Sequence, residues 1–399
     1  MKYVIVLGDG MADEPLEVLG NKTPLEYANT PIMDELASVS EIGLSKTIPD
    51  GMKPGSDVAN LAVLGYNPQK YYSGRSPLEA LSIGVDLADS DIAIRTNLVT
   101  ISDDDKPFEE KTIIDHSSSE ISTEEAKVLL DAVIENIKLP GYKFYLGTSY
   151  RHLCIWDKGE VVDLVQPHDV LGQVIGQYLP KQKDFVDMMK ASYDILNNHP
   201  INIERAKKGL NKANCLWFWG AGTKPSLDSF EEKTKLKGVM ISAVDLLKGI
   251  AVGANMTNIN VEGANGTLET NYEGKAYAAI KALTEDEYDF AYIHIEAPDE
   301  MGHQGSVERK IKAIENIDKK VVKVLVEEFG KKGVEYRMLV MPDHPTPIRC
   351  RTHTSDPVPY MIYDNTNKAL SGLSYNEKDA AKSGNFIQEG YKTIDKLIS

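Results

Sequence analysis

The chain has 399 residues and a mass of 44.1 kDa, and its 44 Lys and Arg against 60 Asp and Glu leave a formal charge of −16 at pH 7. An acidic surface repels phosphate backbones and anionic lipid, which excludes nucleic acid and membrane surfaces as expected partners. A 42% hydrophobic and 26% charged composition is that of a globular protein without long disorder, and the length suggests two or three domains at about 150 residues each.

The first strand expected, 3–7 (YVIVL), runs out into Gly8-Asp9-Gly10. At 51–60 a Pro54-Gly55 turn precedes Ser56-Asp57 and a helical run. Polar loops at 102–111 and 117–125 lead into a helix over 123–137, with a capping box at Ser122–Glu125. Residues 180–212 read as a helical surface segment, 215–219 as a buried strand containing Trp217 and Trp219, and 238–242 as another strand. A helix at 275–283 is followed by strand 289–295, in which His294 reads as a packed core histidine. That strand runs out into Glu296-Ala297-Pro298-Asp299 and on to His303. Helix 307–329, strand 336–341 ending in Pro342-Asp343-His344-Pro345, and strand 359–363 complete the pattern. Near-continuous apolar strands alternating with helices indicate an α/β fold whose sheet is covered on both faces. Cys154, Cys215 and Cys350 form no CxxC pair, which argues against a disulfide framework or a thiolate zinc site. With no apolar run of the roughly 18 residues a membrane helix needs, the expected location is the cytoplasm.

Three strands thus end in aspartates, and in open α/β sheets ligands bind at that edge. Grouping Asp9, Asp299 and Asp343 there is unfavourable unless cations lie among them. His303, His344 and His353 follow in short loops. Carboxylate plus imidazole suits Mn²⁺, Zn²⁺, Fe²⁺ or Mg²⁺. Asp299 and His303, four apart, share one face of a helical turn. Ser56 would be a seventh donor, and seven suit two ions about 3.5–4 Å apart. From spacing alone, a helix N-cap is the simpler reading of Ser56; the other is a metal-activated nucleophile.

Longer motifs go further: GDGMAD at 8–13, PGSDVANLAVLGYNP at 54–68, YYSGRSPLEALSIGVDL at 71–87, YRHL at 150–153, ETNYEGKA at 269–276, EAPDEMGH at 296–303, PDHPTPI at 342–348 and RTHTSDPVP at 351–359. In this order they resemble the alkaline phosphatase superfamily, and within it the short, archaeal type of cofactor-independent phosphoglycerate mutases. The resemblance implies an alkaline-phosphatase-like sheet sandwiched by helices, formed by 1–80 and 240–399, with a smaller α/β domain inserted at 81–239. It implies Asp9, Ser56, Asp343 and His344 as ligands of one metal and Asp299, His303 and His353 as ligands of the other. It also implies a transient phosphoserine at Ser56, with Asp57 beside it for orientation or proton transfer. No 2,3-bisphosphoglycerate is needed, and the partner is a small phosphorylated metabolite. Arg75, Arg95, Arg151, His152 and Lys275 match substrate-binding positions, with Arg205 a weaker candidate.

One segment departs from the pattern. Where archaeal-type mutases carry an arginine-rich stretch, this chain reads Asp115-His116-Ser117-Ser118-Ser119-Glu120, and Asn60 stands where many members have histidine. Both changes resemble a bacterial branch proposed to act as homoserine kinase, so an ATP-dependent kinase on the same two-metal scaffold is the alternative. The chain has no GxxxxGK[ST] P-loop. A phosphohydrolase, and a non-catalytic binder that would not need Ser56, are further readings. His116 reads as a surface histidine, and His168 and His199 receive no role.

Overall fold

The computed structural model describes all 399 residues as two compact units, Met1–Tyr72 with Ser226–Ser399, and Ser73–Pro225. In chain order the strands are β1 (Lys2–Gly8) and β2 (Glu41–Ser45), then β3 (Ile92–Ile101), β4 (Ile113–Asp115), β5 (Tyr142–Tyr145), β6 (Arg151–Trp156) and β7 (Cys215–Thr223), then β8 (Gly238–Ile241), β9 (Thr257–Asn258), β10 (Phe290–Ile295), β11 (Tyr336–Met341), β12 (Val358–Asp364) and β13 (Phe386–Ile387).

The first unit is built on one sheet of order β13-β2-β12-β11-β1-β10-β8-β9. Its centre is parallel, with Gly8 of β1 in register with Ile295 of β10, and Leu7 with Met341 of β11. The chain therefore leaves all three strands at the same edge. Alternate residues face opposite ways. Val4, Val6, Ala291, Ile293, Met338 and Val340 pack with the helices Tyr272–Thr284, Val307–Ile317 and Lys323–Lys332. On the other face Ile5, Leu7, Met240, Tyr292 and Leu339 are equally buried. Burial on both faces is why these strands are apolar throughout, and each large side chain so buried contributes about 1.5–3 kcal/mol. The expected helix 307–329 is interrupted by a π turn at Asp318–Val322. Asp318, which is buried there, accepts the Met33 N–H at 2.6 Å.

The inserted unit carries its own antiparallel sheet, in which β3 pairs with β4, β6 and β7, and β5 extends the sheet beyond β6. All ten residues of β3 are buried. The strand is absent from the sequence reading because Arg95, Thr96 and Asn97 interrupt its apolar run. Residues 180–212 are more than a surface segment, since the helix Lys183–Leu196 buries Phe185, Met188, Met189 and Leu196 in the core of this unit. The two compact units divide at 72/73 and 225/226, and the two chain crossings are hydrogen-bonded to each other inside the inserted unit. Thr223 N–H donates to Ser73 O at 3.1 Å. A Cβ on Gly74 would lie 3.0 Å from the Gly222 Cα, so side chains are excluded where the crossings meet.

Candidate functional site

The carboxyl edge of β1, β10 and β11 gathers the acidic groups. Asp9, Asp299 and Asp343 are all buried. Asp343 is held by N–H groups, from Gly10 at 3.1 Å and His344 at 2.9 Å, and by Asn60 Nδ2 at 2.8 Å. Asn60 is itself fixed by the Tyr292 hydroxyl at 2.5 Å. Asp299 and His303 lie on the helix Ala297–His303, and the four-residue spacing brings Oδ2 and Nε2 to 3.1 Å. His353 Nε2 is 3.4 Å from Asp299 Oδ1, and His344 Nε2 lies 3.5 Å from Asp9 Oδ1 and 3.4 Å from Asp343 Oδ2. Gly10 has φ +60°, and a Cβ there would stand 2.6 Å from Asp299 Oδ1, so the loop after β1 must be glycine to pass this carboxylate.

Two donor groups emerge, Asp9 with Asp343 and His344, and Asp299 with His344 and His353, each with its ligand atoms within 4.8 Å of one another. His344 stands in both. The surroundings fit cations. Asp9 Oδ1 is buried with no hydrogen-bond partner. Burial, followed by repulsion from Asp343, Asp299 and Glu296, holds the Asp9 carboxyl well above its ordinary range. His303 Nδ1–H donates to Arg351 O at 2.9 Å, and its Nε2 lies 3.1 Å from both His353 Nε2 and Asp299 Oδ2. Imidazole nitrogens facing one another beside a carboxylate form a donor set that suits a divalent ion.

Ser56 is not the N-cap. That place belongs to Gly55, and Ser56 opens the helix Ser56–Val63 with its Oγ 3.1 Å from His344 Nε2. Asp57 Oδ1 accepts the Val58 N–H at 2.9 Å and Oδ2 the Tyr72 hydroxyl at 2.7 Å, so both oxygens are engaged in positioning.

Several groups were missed in the sequence. His294 is buried as expected, yet it is part of the site. Its Nε2 meets Asp9 Oδ2 at 2.9 Å and its Nδ1 meets Ser242 Oγ at 3.2 Å. With Nε2–H donated to Asp9, the free Oδ1 is the oxygen left for a cation. Thr346 hydrogen-bonds Asp299 Oδ1 and approaches His344 Nδ1 at 3.3 Å. Lys310, fully buried, pairs with Asp13 at 2.7 Å and donates to Ala12 O at 3.1 Å and Thr346 O at 2.9 Å, tying the loops after β1 and β11 together. The register of Leu7 with His294 is the signal for His294, and it exists only once strand pairing is known.

The expected anion-binding residues fall in two places. Lys275 is in the first unit, completely buried, with Nζ donating to His294 O at 2.8 Å, and burial lowers its pKa to about 8. In the inserted unit Arg75 and Arg95 share Glu79 Oε1 at 3.0 and 2.7 Å, and the Arg95 guanidinium lies 4.7 Å over the Trp219 ring. Arg151 lies over Tyr150. His152 is buried; its Nδ1 accepts the Gly147 N–H at 3.2 Å while Nε2 has no partner. Arg205 is otherwise committed, to Glu125 and to the carbonyls of Ser118 and Asn211. His116 and His168 are not isolated surface residues. They are half-buried and pack together with centroids 4.2 Å apart and planes tilted by 39°.

A model of the metalloenzyme superfamily matches residues 1–397. The chain is 44% identical to a probable 2,3-bisphosphoglycerate-independent phosphoglycerate mutase of Geobacter sulfurreducens over 404 aligned residues, covering 100% of both chains. It is 45% identical to the enzyme of that name from Methanosarcina acetivorans over 389 residues, 96% of each. Among solved structures it is similar to a Pyrococcus horikoshii protein, with a TM-score of 0.81 at 29% identity over 100% of this chain and 96% of that one. It is also similar to the cofactor-independent phosphoglycerate mutase of Thermoplasma acidophilum, with a TM-score of 0.64 at 25% identity over 100% and 99%.

Replacing His294 by Phe keeps the ring volume and frees Asp9 to rotate. Affinity for Mn²⁺, read by chelator competition at constant pH, is expected to fall about 10–100-fold while the fold persists. A second expectation concerns pH. Burial lowers the His152 pKa to about 4 from an ordinary 6.5. Between those values the unfolded chain binds a proton that the folded chain refuses, so stability present above pH 6.5 is lost as pH falls towards 4. His152→Asn, which cannot titrate, should lose less stability over that interval, by up to about 3 kcal/mol, in urea unfolding at pH 7 and pH 4.5.

Proposed function

Because this chain belongs to the 2,3-bisphosphoglycerate-independent phosphoglycerate mutases of the metalloenzyme superfamily, we propose that it interconverts 3-phosphoglycerate and 2-phosphoglycerate through a phosphoserine at Ser56. The net reaction is an isomerisation that depends on divalent metal and consumes neither bisphosphoglycerate nor ATP. One observation carries the covalent route. The Ser56 hydroxyl opens a helix 3.1 Å from His344, inside a cluster of buried carboxylates and imidazoles in which the Asp9 carboxyl is held well above its ordinary range.

Asp9, Ser56, Asp343 and His344 would hold one ion and Asp299, His303 and His353 the other, and the mixed oxygen and nitrogen donors favour Mn²⁺. Bound ions supply neutralisation of phosphoryl charge and a lowered hydroxyl pKa at the serine. Ser56 Oγ attacks phosphorus; the P–Oγ bond forms as the bond from phosphorus to the C3 oxygen breaks, and the proton lost from Oγ is balanced by one taken up at the C3 oxygen. The glycerate is retained, and its C2 oxygen then attacks the phosphoserine, restoring the hydroxyl. The first turn of the helix Ser56–Val63 directs backbone N–H groups at the anion. Asp57, clamped by Tyr72, fixes the serine backbone rather than moving a proton. Lys275 and the group Arg75, Arg95, Arg151 and His152 serve anion recognition, the arginines as forks for carboxylate or phosphate. Three free cysteines accord with a reducing cytoplasm. The kinase alternative gains no support from these relatives and is not retained.

Phosphorus NMR of chelator-treated protein reloaded with Mn²⁺ and given 3-phosphoglycerate alone should show 2-phosphoglycerate growing at an enzymic rate. Chelation should abolish it, and Ser56→Ala should lower kcat at least about a thousandfold. A silent spectrum from metal-loaded protein overturns the mutase reading, whereas a turning-over Ser56→Ala variant overturns only the phosphoserine.

A further inference from the structure

The inserted unit holds a run of backbone strain that its helix does not require. Ser118, Ser119 and Glu120 have φ of 51°, 55° and 49°, three consecutive left-handed residues that all carry side chains crowding the following carbonyl. Ser122 by itself caps the next helix, through the Glu125 N–H at 3.2 Å. The strained turn is nevertheless fixed from several sides. The Asp115 carboxylate accepts the N–H groups of Ser117 at 2.8 Å and Ser119 at 2.5 Å, and Asn211 Nδ2 at 2.9 Å. Arg205, 2% exposed, donates to Ser118 O from behind. Strain over-determined in this way marks a segment that positions something.

What it positions is His116. The ring packs against His168 with centroids 4.2 Å apart and planes tilted by 39°, and His168 is carried by the short turn Pro167–Val170. Backbone bonds tie that region to β4, from Gly172 N–H to Ile113 O at 2.8 Å and from Ile113 N–H to Gln173 O at 3.0 Å. His168 in turn meets the edge of Trp219 at 5.5 Å, the ring that carries Arg95. Along this row Nδ1 of His116, Nδ1 of His168 and Nε of Arg95 are all buried without a hydrogen-bond partner, and Arg95 is only 5% exposed. Adjacent buried groups left unpaired are costly unless something accepts from them. Burial lowers both imidazole pKa values, that of His168 to about 4, with His116 and the two arginines acting in the same direction. The rings are therefore uncharged at neutral pH, and each can offer one N–H.

We propose that His116 and His168 form an N–H donor pair that, with Arg95, binds the carboxylate or hydroxyl oxygens of a small hydroxy acid. Resting on the mutase reading, that acid is the glycerate portion of the substrate. The pair sets specificity through hydrogen bonds that an arginine cluster alone would not make, because imidazole N–H groups favour oxygen acceptors without adding charge.

Asparagine and phenylalanine separate recognition from packing. Asn places an amide N–H near the imidazole Nδ1 but loses the ring, whereas Phe keeps the ring and loses the donor. The KM for 3-phosphoglycerate should rise about tenfold in His116→Phe and His168→Phe, with kcat changed less than about threefold, and stay within about threefold in the Asn variants. Restoration by Phe rather than Asn, or an unchanged KM throughout, overturns the pair. Independently of folding in any variant and of turnover, the wild-type protein loaded with Mg²⁺ can be titrated with 3-phosphoglycerate while imidazole ¹⁵N–¹H resonances are followed. Shifts at His116 and His168 are expected, and unmoved resonances overturn the inference. Shifts at both rings in a protein that forms no 2-phosphoglycerate when loaded with Mn²⁺ would overturn the mutase reading and leave the donor pair standing as a hydroxy-acid site.

Discussion

Mutual repulsion among Asp9, Asp299 and Asp343 is the constraint around which the first unit is arranged. Parallel pairing delivers the loops after β1, β10 and β11 to one edge of the sheet, and burial removes the water that would screen their charge. In such surroundings carboxylates either take up protons or gather cations. The Asp9 carboxyl, raised by burial and then by its acidic neighbours, displays the first response when the protein's own groups act alone. The unpartnered Oδ1 and the facing imidazole nitrogens provide for the second. Divalent cations bound there would relieve the repulsion and supply the charge neutralisation that phosphoryl transfer needs.

The rest of that edge keeps the donors from relaxing apart. His294 holds one oxygen of Asp9, Asn60 and two N–H groups hold Asp343, and Thr346 holds Asp299. Lys310 and Asp13 form a buried pair whose removal on either side would leave an uncompensated charge, at a cost of about 3–5 kcal/mol. Because the Lys310 ammonium also binds the carbonyls of Ala12 and Thr346, its electrostatic penalty is offset by fixing two loops of the site together. Gly10 completes the arrangement by letting backbone approach Asp299 where no side chain fits.

The inserted unit follows a different logic. Its antiparallel sheet buries polar residues in the central strand, and Arg95 is tolerated there because Glu79 and the Trp219 face receive it. Arg95, Arg151 and His152 are thus carried on paired strands, while the strained 118–120 turn follows His116. The scaffold of the first unit manages negative charge; that of the second presents N–H donors and positive charge.

The α/β alternation, the three strands that end in aspartate and the four-residue spacing of Asp299 and His303 were legible in the chain, since each is a local pattern of side chains along one element. The long motifs likewise carried the family. Three things were not legible: the part of His294 in the site, the freedom of the Ser56 hydroxyl from capping, and the strand Ile92–Ile101. His294 depends on register between strands far apart in sequence, and Ser56 on Gly55 taking the cap position. The strand depends on partners that satisfy Arg95 and Asn97 only after folding. His116 and His168, 52 residues apart in the sequence, gain a shared role solely because β4 pairs beside the turn that follows Pro167. By itself, then, the sequence determined which chemistry-bearing residues each strand delivers. Tertiary structure decided which of their atoms are already paired and which remain free to act, because hydrogen-bond satisfaction is settled by long-range pairing that no local pattern records.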